Sequence, residues 1–185
     1  MNLAERQLMG GGYDKLNFAT IAKELNTTRA NLHYHFKNKE TLAIEVTKQF
    51  RIRNCNEFTA LRETFKGDFF GFIDAVDNSF WNEDYGVDSA GACACSMLIT
   101  DPELPEPLVK LSQEFYQEIE FILVQAIQDA IDYGEIRSDI NVKREAMRVH
   151  VIMMGIMTSA HHISNLTQAK AQLGGLIADW GNSLR

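Results

Sequence analysis

One stretch, residues 18–42 (FATIAKELNTTRANLHYHFKNKETL), limits the fold more than any other part of the chain. It predicts short helices separated by tight breaks. Ile21, Ala22 and Leu25 fall at i, i+1 and i+4, one face of a helix. Asn26-Thr27-Thr28 interrupts that helix, because Asn26 tolerates a left-handed C-cap and Thr28 is a good N-cap for the next. The following helix, Arg29 to about His35, offers only Ala30, Leu32 and Phe36 for burial. Small Ala22 and Ala30 suit two helices crossing steeply over so short a turn. The remaining side chains (Thr28, Arg29, Asn31, His33, Tyr34 and His35) are donors and aromatics without an evident partner inside so small a unit. A helix-turn-helix sets such side chains against base edges in the major groove.

The run from Ile21-Ala22 through Leu25-Asn26-Thr27-Thr28-Arg29-Ala30-Asn31-Leu32 to His33-Tyr34-His35-Phe36-Lys37-Asn38-Lys39-Glu40 and Leu42 resembles the operator-binding module of TetR/AcrR-type regulators, as does the upstream Gly12-Tyr13. The resemblance implies a homodimeric, ligand-responsive repressor with a palindromic operator. It also implies phosphate contacts near Asn17 and at Lys39. Two positions depart from the pattern. Asn26 replaces the turn glycine, and His33 stands where a backbone-contacting tyrosine is usual, so that contact is altered. Relatives carry a longer first helix behind a basic arm, which leaves an arm contact unsupported here. The expected base readers are Arg29, which suits guanine, and Asn31, which suits adenine. Thr28, His33 and Tyr34 are expected on the backbone or a thymine methyl, with Asn17 and Lys39 fixing register.

The net charge of −7 would ordinarily disfavour nucleic acid, but its distribution reverses that reading. Residues 1–53 sum to +4 and residues 54–185 to −11. A basic head on an acidic body suits phosphate contact at one end only. Hydrophobic content of 45 % with three prolines suits an all-α chain. No apolar run reaches membrane-helix length and no signal peptide is evident, so the expected address is the cytoplasm. Three cysteines fit a reduced protein better than a disulfide framework.

The expected division is a helix-turn-helix head over residues 1–45 and a helical effector-binding and dimerisation body over 46–185. Residues 2–9 start helical and Gly10-Gly11-Gly12 ends them; no strand precedes and no Gly-Lys-Ser/Thr follows, so this is no phosphate loop. A long helix from Lys39 to about Arg62 carries Leu42, Val46 and Phe50, then Cys55 and Phe58, and would join head to body. Helical spacing recurs from Phe69 to Trp81, residues 82–91 read as a loop, and 90–100 as a small apolar helix. Asp101 to Pro107 holds all three prolines, and a helix from Leu108 to about Ala130 closes at Tyr133-Gly134. Another follows from Val142 to about Ser164. A last one, about Thr167 to Leu184, sets Leu166, Leu173 and Trp180 seven apart beside Ile177, a packing seam. Periodicity alone leaves open whether the chain itself or a second copy covers that seam; the resemblance implies a dimer interface through Leu166, Leu173, Ile177 and Trp180.

Cys93-x-Cys95 and His161-His162 lack the spacing of a zinc site. The thiols are ordinarily buried, with redox or electrophile sensing as the alternative. His150, His161 and His162 could serve core, interface or pocket. A mostly apolar effector cavity is implied by the resemblance, and Cys93, Met97, Phe115, Tyr116, Met153 and Met157 are the candidate lining, with no metal or other cofactor. No G-x-S-x-G, H-E-x-x-H or di-iron E-x-x-H pattern is present, so catalysis has no residues to stand on. The rival to a DNA-binding regulator is a helical sensing protein whose head docks on a protein partner.

Overall fold

The computed structural model describes residues 2–81, 104–160, 162–163 and 165–185. Their regular elements are all α-helices, with no strand among them. They fall into two compact units, residues 2–53 with 104–115 and residues 54–81 with the described part of 116–185. The expected helix at 90–100, with Cys93, Cys95 and Met97, lies outside the described residues, as does His161.

In the first unit, α1 (Asn2–Met9) is followed by a single turn, α2 (Gly12–Lys15), that the glycine run had concealed. Then come α3 (Phe18–Glu24), α4 (Arg29–Phe36) and the start of α5 (Lys39–Thr64). Leu8, Met9, Leu16, Phe18, Ile21, Ala22, Leu32, Leu42, Ala43, Val46 and Phe50 form the core. Asn17 caps α3 by accepting from the Ala19 amide at 2.8 Å, and Thr28 caps α4 by accepting from the Asn31 amide at 3.1 Å. Asn26 takes the left-handed conformation expected of it, with φ 51°. Two expected core positions are instead exposed, Leu25 and Ala30. Leu25 is the C-cap residue, past the last turn whose face the core covers, and Ala30 lies on the outward side of α4. Phe50 meets Phe115 edge-on at 5.8 Å, and Arg51 pairs with Glu114, which ties the start of α7 (Glu106–Asp132) into this unit.

The second unit holds the rest of α5 and α7 with α6 (Phe69–Ser79), α8 (Val142–Ala160), α9 (Leu166–Leu173) and α10 (Leu176–Asn182). Asp68 caps α6, accepting from the Gly71 amide at 3.0 Å. Pro107 sits in the first turn of α7, where its missing N–H costs nothing, so that helix starts two residues before Leu108. The expected single terminal helix is broken at Gly174-Gly175. Gly175 has φ +86°, which a side chain would strain, and α10 sets off in a new direction to pack on α6 and α8.

That redirection lets the chain itself cover most of the apolar seam. Leu166, Ile177 and Trp180 are buried within the chain's own unit, and Leu173 is half-buried. Trp180 is only 4 % exposed, lies edge-on to Phe69 at 6.1 Å and donates its Nε1–H to Glu145 at 3.0 Å. Glu145 is in turn held by both oxygens to Arg148 at 2.9 Å. Gly181 faces Ile73, where a Cβ would make an ordinary contact at 3.4 Å, so α10 lies directly on α6. Apolar side chains left outside on the same helices are Met147 and Val151 of α8 and Leu176 of α10.

Candidate functional site

Helix α4 has one buried side chain, Leu32, and almost no segregation of polar from apolar residues. The reason is its composition: one leucine and one phenylalanine among eight residues anchor the inner side, and all the others except His33 are exposed. Arg29, Asn31 and His35 are exposed, and Tyr34 is 82 % exposed with its ring edge-on to His35 at 5.3 Å. The expected base readers are braced within their own helix. Asn31 donates its Nδ2–H to Thr27 Oγ1 at 3.0 Å, and Arg29 donates its Nε–H to His33 Nε2 at 3.3 Å.

His33 differs from its neighbours. It is half-buried, its ring meets Phe18 edge-on at 4.7 Å, and its Nδ1 lies 2.9 Å from the Lys37 carbonyl. Lys37 itself has φ 58°, so the ring closes the last turn of α4 where the chain reverses.

Two further side chains flank α4 at helix starts. Asn17 is exposed at the N-terminus of α3; its own amide donates to Gln7 at 2.8 Å. Lys39 opens α5 with its ammonium 4.3 Å from the Tyr13 ring centre and 3.4 Å from the Asp14 carbonyl. Helix N-termini carry partial positive charge, so both places favour an anion, although the Asn17 and Asn38 side chains already accept from the Ala19, Thr20 and Thr41 amides. Gln7, Tyr13 and Asp14 were not foreseen as supports; only Tyr13 carried a signal, as part of the Gly12-Tyr13 pair.

In the second unit, Tyr116 stacks flat on His150, centres 3.8 Å apart and planes 17° apart. The Tyr116 hydroxyl donates to Met147 Sδ at 3.4 Å. Burial, and then the Glu120 carboxylate, push the phenol pKa up. His150 is 3 % exposed, its Nδ1 has no hydrogen-bond partner among the described residues, and burial lowers its pKa to about 4. Met153 is buried one turn further along α8 and Met157 is half-buried beyond it. Phe115 belongs to the first unit, against Phe50. The expected lining therefore divides: Tyr116, Met153 and Met157 share a unit, Phe115 does not, and Cys93 and Met97 are outside the described residues. His150 was the member that sequence reasoning could not separate from core or interface. A cleft among Arg62, Phe69, Phe72, Asp129 and Glu135 has barely the room that one water molecule needs.

Cys55 is the described thiol, and it donates to Glu118 Oε2 at 3.0 Å. A carboxylate acceptor favours the protonated thiol, the unreactive form.

Residues 1–46 match the family model described as bacterial regulatory proteins, tetR family. Residues 1–46 are therefore a head of the TetR type. Among the described residues every regular element is an α-helix. The whole fold agrees. A TetR-family transcriptional regulator from Agrobacterium tumefaciens superposes with TM-score 0.83 at 19 % identity, over 96 % of this chain and 93 % of that one. The reduced form of E. coli NemR gives 0.80 at 14 % identity, over 98 % and 93 %. A TetR regulator from Legionella pneumophila gives 0.74 at 19 % identity, over 99 % and 94 %. Among curated proteins no sequence matches significantly. No helix among the described residues is long and apolar enough to cross a membrane.

Proposed function

We propose that this chain is a TetR-family regulator, a ligand-responsive repressor that binds a palindromic operator as a homodimer and is released by a small-molecule effector. The observation that carries the reading is the outward polar face of α4. A helix that buries one leucine and holds an arginine, an asparagine and a tyrosine in water has its remaining surface to offer to another molecule. In each subunit α4 enters a major groove. Arg29 takes guanine O6 and N7 with the ends of its guanidinium, and Asn31 takes adenine. Tyr34 meets a thymine methyl or a phosphate, while Thr28, Asn17 and Lys39 hold the phosphate backbone.

For the dimer, the outward residues Met147, Val151 and Leu176 are the surface a second copy would cover, in place of the buried seam. For the effector, Tyr116, His150, Met153 and Met157 supply an aromatic plate, one unpaired ring nitrogen and adaptable thioethers. That set suits a largely apolar ligand with a single hydrogen-bonding group.

Selection of duplexes from a random pool, followed by affinity measurements across salt, tests the proposal. The expected outcome is an inverted repeat and a steep fall of affinity with salt. Asn31→Ala should relax preference at one operator position, whereas Lys39→Ala should weaken all duplexes alike and lower the salt slope by about 0.9. A protein that selects no duplex, or variants with indistinguishable profiles, would defeat the reading.

A further inference from the structure

His33 stands at the position where a direct backbone contact is expected, yet its two ring nitrogens are already engaged within α4. Nδ1 lies 2.9 Å from the Lys37 carbonyl, and a carbonyl only accepts, so Nδ1 carries the proton. Nε2 then has a lone pair facing outward along the helix, and the Arg29 Nε–H points into it at 3.3 Å. The two bonds require each other: the neutral Nδ1–H tautomer satisfies both, and the opposite tautomer neither. Phe18 of α3, which carries no charge, fixes the ring plane from behind at 4.7 Å.

The bond to Arg29 uses only Nε. Both terminal nitrogens, the ones that pair bidentately with guanine, remain clear of it. An exposed arginine ordinarily loses much rotamer freedom on binding, and a brace at Nε removes part of that loss beforehand. We infer that His33 is a positioning residue for base readout: it aims the Arg29 guanidinium at the groove and makes no phosphate contact of its own. The inference rests on the operator-binding reading and adds to it the source of selectivity at one base pair.

The experiment measures affinities of the parent protein and of His33→Ala, Arg29→Ala, the double variant and His33→Gln. Each is titrated with the selected operator, with duplexes changed at single positions, and with unrelated duplex across salt. Thermal unfolding is followed alongside, because the ring also closes the end of α4. His33→Ala should lose about 2–10-fold of the preference at the same base pair that Arg29→Ala affects. Its salt slope and its affinity for unrelated duplex should match the parent's. In the double variant the losses should not add, because the interaction is shared. His33→Gln should recover most of the preference, since its carboxamide offers a donor to Lys37 and an acceptor to Arg29. In nitrogen NMR the parent ring should show the Nδ1–H tautomer.

If His33→Ala weakens every duplex alike and flattens the salt slope, the residue is a phosphate contact and the inference falls. The same holds if the two single losses simply add. A parent protein that selects no operator overturns the operator reading and this inference with it, whereas normal selection with an uncoupled His33 overturns this inference alone.

Discussion

Helices α4 and α10 are eight and seven residues long, and in the sequence each reads as a surface for another molecule. They hold their side chains in opposite ways. α4 keeps Arg29, Asn31 and Tyr34 in water and anchors itself through Leu32. α10 buries Ile177, Trp180 and the Gly181 backbone against α6 and α8, and leaves Leu176 outside. Apolar spacing states that a face will be covered; it does not state by which molecule. A polar face turned to water is more informative, because donors that fold inward unpaired would each be costly. The α4 pattern therefore constrains its partner more than the α10 pattern does, although α10 carries the stronger apolar spacing.

Substitution of Trp180 tests that contrast with the largest expected effect. Trp180→Ala removes a buried indole and strips Glu145 of a donor, and should cost about 3–5 kcal/mol in denaturant unfolding. Tyr34→Ala, by contrast, removes an exposed ring and should stay within about 0.5 kcal/mol of the parent. Similar losses for the two would erase the distinction drawn between the helices.

The acid limb of stability sharpens the buried side of the comparison. His150 stays neutral in the folded chain down to about pH 4, while in the unfolded chain it takes a proton near its ordinary value of about 6.5. Between those values only the unfolded state binds the proton. Stability is therefore full above about pH 6.5, falls as pH drops towards 4, and loses roughly 3 kcal/mol from this group in all. His150→Phe keeps a ring against Tyr116 and removes the titration, so its unfolding free energy should lose that slope. An unchanged slope would assign the acid limb elsewhere.

On the exposed side, Arg29→Ala should leave the melting temperature unmoved while reducing discrimination at one operator base pair by about 1–3 kcal/mol. A loss of stability of that size would mean the side chain serves the fold after all.

Much of the head was legible because its signals are local. Asn17, Asn26 and Thr28 each perform the capping or turn role that their chemistry suggests, within three residues of their own position. The extra turn at Gly12–Lys15 was hidden because three glycines ordinarily end a helix rather than flank one. In the body, the periodicity of α6, α7 and α8 marked the elements. The Gly174-Gly175 break, which decides where Trp180 points, stayed obscure because apolar spacing continues across it. The brace on Arg29 was equally hidden: His33 looks like one more exposed donor until the Lys37 carbonyl and the Phe18 ring are seen beside it.

The smallest expected effect separates fold from function at one side chain. Thr28 Oγ1 already accepts from the Asn31 amide, but its O–H is still free to donate, so one hydroxyl can cap α4 and meet a phosphate at once. Thr28→Ala removes both roles and should cost about 1 kcal/mol of stability together with affinity for every duplex. Thr28→Ser retains both and should resemble the parent. Thr28→Asp keeps a good cap but sets a carboxylate beside the phosphates, so its melting temperature should hold while duplex affinity falls below that of the alanine variant. The pair Asp and Ser therefore has equal stability and opposite binding. If the aspartate variant binds duplex as well as the serine variant does, no phosphate lies against residue 28, and its role ends at the helix it caps.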